Sequence, residues 1–290
     1  MNHDDVETEI RLGIECAEQI IAARSRELTA YRTPQRGLLV AEGDSWFDYP
    51  GTDILSILKD AGWEIVSVAH WGDSLEDMAY TPCQLTALAS KLERIKSQNV
   101  VPVAILLSGG GNDFAGPAMA MLIEHQSSAR PGLNDLIVNE MISGRLQNSW
   151  ARLISATTRL CENYFDKKIP IVVHGYDYPI PDGRGFSAFK GWGILPGPWM
   201  GPSFAAKGFD VIPKRTAMMT DLIDRYNTML TALAARPTFG HVTVVDLRGT
   251  LESGQRYRDD WENELHPTPE GFELVAAKFA EALVPLSNPE

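Results

Sequence analysis

Ser45 lies in Gly43-Asp44-Ser45-Trp46-Phe47, just behind the apolar run Leu38-Leu39-Val40-Ala41. A serine hydroxyl is a poor nucleophile until a base takes its proton. A tight turn at the end of a buried strand would expose it, and a helix N-terminus close behind would favour developing negative charge. The same triplet recurs at Gly72-Asp73-Ser74, so either serine can be read as the nucleophile. The longer and cleaner apolar run leading into Ser45 favours it. Gly72 then suits another task, because a residue without a side chain lets its backbone N–H come close to a substrate oxygen. Taken singly, such a triplet reads first as a helix cap or a turn.

Two further clusters carry complementary chemistry. Gly110-Gly111-Asn112-Asp113 follows the most apolar run of the chain. The glycines permit a tight turn, and the Asn112 amide can donate to an oxyanion or simply form an Asx-turn. The block lacks the Gly-Lys-Ser/Thr ending of a phosphate loop and the GxGxxG fingerprint. His266 sits in Asp260-Trp261-Glu262-Asn263-Glu264-Leu265-His266-Pro267-Thr268. A neutral imidazole there can act as general base toward a serine, or be a surface histidine before a helix. His3 and His125 fall in polar stretches, and His70, His174 and His241 near strand ends, so they are weaker candidates.

Groups so far apart in the chain meet only if a scaffold ends several elements at one edge. The hydrophobic pattern predicts one. Strands are expected at Leu38–Ala41, Glu64–Ala69, Val100–Leu107, Ile169–Val173 and His241–Leu247. Helices are expected at Ile54–Ala61, Leu85–Ile95, Leu146–Phe165, Thr216–Ala235 and Pro269–Leu283, plus an N-terminal helix over about 5–30. Alternating strands and helices imply an α/β fold, a three-layer α/β/α sandwich around a mostly parallel five-stranded sheet of flavodoxin-like type. Such sheets carry their sites beyond the carboxyl ends of the strands, where the Gly-rich clusters fall. Residues 176–210, rich in Gly, Pro and aromatics, are too long for an ordinary connection. They are expected to cap the site or to pack only on themselves. The whole of 1–290 is expected to be a single domain.

Taken together, the four clusters resemble the SGNH/GDSL hydrolase family of serine esterases and lipases. The order is similar: Gly-Asp-Ser near the N-terminus, a lone glycine after the second strand, Gly-x-Asn-Asp after the third, and a histidine before the last helix. The resemblance spans roughly Leu38 to Leu283. It implies Ser45 as nucleophile, the Ser45 and Gly72 N–H groups with the Asn112 side chain as oxyanion hole, and His266 as base and then acid. It implies hydrolysis of a small-molecule carboxylic ester through an acyl-enzyme, with no metal and no organic cofactor. Removal or transfer of acetyl groups on carbohydrates is the alternative within the family, with Trp46, Trp71 and Trp192 as candidate sugar-stacking faces or, more simply, ordinary core packing. One block departs: Asn263 stands where the family has an aspartate three residues before the histidine. Asp260, Glu262 or Glu264 is then expected to supply the carboxylate, unless Ser45 and His266 work as a dyad. A binding protein on a hydrolase fold is the reading outside catalysis.

Composition bounds these readings. The 290 residues carry 26 Lys plus Arg against 38 Asp plus Glu, a formal charge of −12, and are 44% hydrophobic. That balance excludes a disordered or fibrous chain and argues against nucleic-acid partners, which need a basic footprint. Cys16, Cys83 and Cys161 are too scattered for a disulfide framework or a zinc site. No run approaches the roughly 18 apolar residues of a membrane span. The acidic start, Met1 to Arg11, does not read as a signal peptide, so a cytoplasmic location is expected.

Overall fold

The computed structural model describes residues 36–186 and 197–287. The expected helix over about 5–30, and Phe189 and Trp192 of the aromatic segment, lie outside the described residues. Five strands form one sheet: β1 (Leu38–Glu42), β2 (Glu64–Ser67), β3 (Ala104–Leu107), β4 (Ile171–His174) and β5 (Val242–Val245). Their order is β2-β1-β3-β4-β5, and every pairing is parallel. Val40 stands between Val66 and Ile105, and Val172 between Leu106 and Thr243. The three central strands are buried along their whole length, which is why they read as unbroken apolar runs instead of alternating ones. The edge strands β2 and β5 are only partly buried.

The main helices are α1 (Ile54–Asp60), α2 (Leu75–Tyr80), α3 (Pro82–Ser97), α4 (Gln147–Phe165), α5 (Ile212–Ala234) and α6 (Pro269–Leu283). α1 packs against α6. α2 and α3 pack against α4, which in turn meets α5. The sheet is therefore the middle of a three-layer α/β/α sandwich. Asp53 caps α1 in a reciprocal capping box with Ser56. Thr268 caps α6, with Pro269 in its first turn. Both starts are legible from residue type alone.

Some boundaries differ from expectation. β3 begins at Ala104, not Val100: Pro102 has no N–H for a ladder, and Val100 and Val101 are exposed. α2 was not expected, since six residues give little periodicity. A one-turn helix and a π-helical turn (Glu140–Leu146) precede α4. No described helix is long and apolar enough to cross a membrane.

Chain order reverses between β1 and β3. In open α/β sheets that switch point opens a crevice at the carboxyl ends of the strands. Ser45 follows β1 and Asn112 follows β3, so the two flank it.

Candidate active site

β1 hands directly into a turn at Ser45–Phe47, closed by Phe47 N–H to the Asp44 carbonyl at 3.0 Å. The helix N-terminus expected behind Ser45 is not there; α1 starts only at Ile54. The turn is fixed instead by the buried Asp44 carboxylate. One oxygen accepts from Trp46 N–H at 3.0 Å and Ser108 Oγ at 2.7 Å, and the other from the Tyr176 hydroxyl. Ser108 also bonds His174 Nε2 at 2.7 Å, and burial keeps His174 below its usual pKa. Tyr176 accepts from Gly111 N–H at 3.1 Å, which ties the loop after β3 to the turn after β1. Gly43 permits this closeness: a Cβ there would lie 2.6 Å from the Ser108 Cβ.

His266 reaches the same place from the far end of the chain. Residues 261–267 form a tight loop closed by a Trp261–Pro267 bridge and by Glu262 N–H to the His266 carbonyl at 3.0 Å. Trp46 Nε1 donates to the Leu265 carbonyl at 3.1 Å, pinning this loop to the Ser45 turn. Ser45 Oγ then lies 2.7 Å from His266 Nε2. Asn263 Oδ1 accepts from the backbone N–H of Leu265 at 2.9 Å and of His266 at 3.0 Å. Those two donors fix which end of the amide is oxygen. His266 Nδ1, 3.0 Å from the same oxygen, must therefore carry the proton, leaving Nε2 as the acceptor for Ser45. The ring stacks on Tyr49 at 4.3 Å and meets the edge of Trp199 at 5.5 Å. Burial pulls its pKa down to about 3, so the ring stands neutral.

The expected substitute carboxylates are occupied otherwise. Asp260 accepts from Glu252 N–H, and Glu262 from the Tyr49 hydroxyl. The fully buried Glu264 accepts from the backbone N–H groups of Gly183, Trp199, Met200 and Gly201. It thereby anchors both described ends of the 176–210 segment over the site. It is Asn263 that faces the imidazole.

Asn112 Nδ2 donates to the Asp73 carbonyl at 2.9 Å and has a second hydrogen available. Asp113 holds the start of α2 through Leu75 N–H at 2.7 Å and Glu76 N–H at 3.2 Å. Gly110, at φ +104°, makes the turn before them, and a Cβ there would strike the Tyr226 hydroxyl at 2.5 Å. Gly72 is exposed, also at positive φ, in the turn after β2. Neither its N–H nor that of Ser45 donates to another group among the described residues. Ser74 is a helix cap, accepting from Asp77 N–H and donating to the Asp77 carboxylate.

Ser45, Asn112 and His266 line one cavity with Trp46, Phe114, Met200, Met219, Ile223, Trp261 and Leu265; Gly72 is not part of its wall. Its volume is about 30 Å³, where one water needs roughly 10–15 Å³. Of the expected sugar-stacking faces, Trp46 is buried against His174, Tyr176 and Trp261, whereas Trp71 is 52% exposed. Among the described residues no group of three or more His, Cys, Asp or Glu is placed to hold a metal ion.

Glu42, at the end of β1, is a buried carboxyl whose two oxygens have no hydrogen-bond partner among the described residues. Burial, and then the charge of Asp73, raise its pKa to about 8. An unfolded chain ionises this group near its ordinary 4.5. Between the two values the unfolded state binds fewer protons, so stability falls as pH rises through that window. Glu42→Gln is expected to flatten this fall, on the order of 4 kcal/mol between pH 4.5 and 8. Denaturant unfolding of both proteins at pH 5 and 8 checks it, and parallel pH dependence contradicts it.

No protein-family model matches the chain, and no curated protein matches it. Solved structures do. A candidate SGNH hydrolase from Slackia heliotrinireducens superposes with a TM-score of 0.50 at 13% identity, over 84% of this chain and 97% of that one. A lipase from a goat rumen metagenome gives 0.49 at 13% identity, over 84% and 96%. A catalytic mutant of an acetylxylan esterase from Geobacillus stearothermophilus gives 0.44 at 13% identity, over 86% and 94%. The architecture is that of the SGNH hydrolases.

Proposed function

We propose that this chain is a serine hydrolase of carboxylic esters, with Ser45 as nucleophile and His266 as general base. The observation that carries the reading is the 2.7 Å contact from Ser45 Oγ to an imidazole whose tautomer Asn263 holds for accepting a proton. As Oγ attacks the acyl carbon, its proton passes to Nε2. The Ser45 N–H and the Asn112 amide, which border the cavity, stabilise the oxyanion, and the Gly72 N–H, outside its wall, is the third donor that the family resemblance implies. Collapse of the tetrahedral intermediate expels the alcohol, which takes the proton from Nε2. Water then gives a proton to Nε2 and attacks the acyl-enzyme, and the released acid leaves Ser45 with its proton restored.

The small apolar cavity suits a short acyl chain. The purified chain is expected to hydrolyse p-nitrophenyl acetate with a kcat/KM at least about tenfold above that for the octanoate, whose six extra methylenes reach beyond the small cavity beside Ser45. An equal or higher value for the octanoate contradicts the acyl-pocket assignment. No hydrolysis of any short ester contradicts the reading as a whole. Trp71, open to solvent beside Gly72, favours a second reading in which the acetyl group is carried by a sugar. Acetylated xylo-oligosaccharides in the same assay distinguish the two.

A further inference from the structure

We infer that Glu262 acts as a positioning residue for the base, its charge reaching His266 through the Tyr49 hydroxyl and the Asn263 amide. The inference rests on the assignment of Ser45 and His266 as nucleophile and base. In a Ser-His-Asp site the aspartate does two things: it fixes the tautomer and it stabilises the imidazolium that forms. Asn263 performs the first through its backbone-held oxygen. It brings no charge for the second.

The charge stands further along one chain of hydrogen bonds. With Asn263 Oδ1 fixed toward the imidazole, Nδ2 must face the other way, and it lies 3.0 Å from the Tyr49 hydroxyl. An amide nitrogen only donates, so Tyr49 accepts there and its own proton points elsewhere. That proton goes to Glu262 Oε2 at 2.9 Å. Every donor therefore points the same way: Ser45 to His266, His266 to Asn263, Asn263 to Tyr49, Tyr49 to Glu262. In such a series each bond polarises the next. Asn263 is fully buried and Tyr49 nearly so, so water does not interrupt the series or screen it strongly. Tyr49 is also stacked on the imidazole, which holds its hydroxyl in register with Asn263.

Only the Ser45 proton moves during attack, and it goes to Nε2. The protons on Nδ1, Nδ2 and the Tyr49 hydroxyl stay on their own atoms and shift in polarity alone. Tyr49 stays protonated throughout: burial, then the charge of Glu262, push its pKa well above the usual phenol value.

The test compares two backgrounds, the natural chain and Asn263→Asp, in which a carboxylate meets Nδ1 directly. In the natural chain Glu262→Gln is expected to lower kcat for p-nitrophenyl acetate about tenfold with KM unchanged, as for loss of an interaction made only in the transition state. Tyr49→Phe is expected to do at least as much. In Asn263→Asp, Glu262→Gln is expected to change kcat by less than about twofold, since the near charge replaces the distant one. Equal losses in both backgrounds, or no loss in the natural chain, overturn the inference. Glu262 is partly exposed, so its variant keeps the test decisive if Tyr49→Phe fails to fold. Retained turnover in Ser45→Ala identifies failure of the underlying assignment instead.

Discussion

Ser45→Ala is expected to lower ester turnover by on the order of 10⁶-fold, the loss seen when the nucleophile of a serine protease is removed. The magnitude follows from what the hydroxyl does. In the proposed reaction it is the atom that forms the acyl-enzyme, and its 2.7 Å approach to His266 Nε2 is the contact that would activate it. The proposed oxyanion donors survive the substitution, so roughly 10³-fold acceleration over water is expected to be left. The fold is expected to survive as well. Among the described residues Ser45 Oγ bonds only His266; Asp44, Ser108 and Tyr176 hold the turn without it. Losing one hydroxyl at the edge of a cavity costs roughly 1 kcal/mol or less. Steady-state kinetics on p-nitrophenyl acetate with a melting curve on the same sample checks both parts. Comparable turnover in a folded Ser45→Ala rejects the nucleophile and makes Ser74→Ala the next variant.

His266→Gln is expected to be nearly as damaging, by about 10⁴-fold or more in kcat, because among the described residues no other base lies against Ser45 Oγ. Combining it with Ser45→Ala is expected to cost little beyond either change alone, since the two groups perform one proton transfer. Multiplicative losses in the double variant contradict that unit. The activity that His266 supports is expected to persist well below pH 6, because burial keeps the imidazole neutral to about pH 3. The sign is fixed by the base role: activity is lost as pH falls through the pKa of the working imidazole, so a depressed pKa moves the acid limb down. An acid limb at or above pH 6.5 contradicts the buried neutral imidazole.

Much of this site is legible in the chain itself. Apolar runs mark β1, β3 and β4, and polar Gly-rich clusters follow them, so the strand ends that meet at the switch point can be located from periodicity. The Ser45 and His266 pairing follows from the order of the motifs. What escapes is whatever depends on contacts between distant segments. Asn263 reads as a defect because a missing carboxylate is visible in sequence, whereas the backbone donors of Leu265 and His266 that aim its oxygen are not. Tyr49 carries no signal beyond being an aromatic after Ser45, yet it meets both Asn263 and the imidazole. Glu264 looks like a spare acid near the base, but four backbone N–H groups claim it. Trp46 reads either as a sugar platform or as core packing, and it is core, a buried strut from the Ser45 turn to the His266 loop. In each case the residue type is right for two roles, and only the partner across the fold decides.

The most direct measurement is covalent. The folded full chain is incubated with a fluorophosphonate at neutral pH, and the adduct is located by peptide mass spectrometry. One phosphonyl group per chain is expected, on the peptide carrying Ser45, and its formation is expected to slow by orders of magnitude in His266→Gln. A folded chain that takes up no phosphonate, or takes it up at Ser74, contradicts the account.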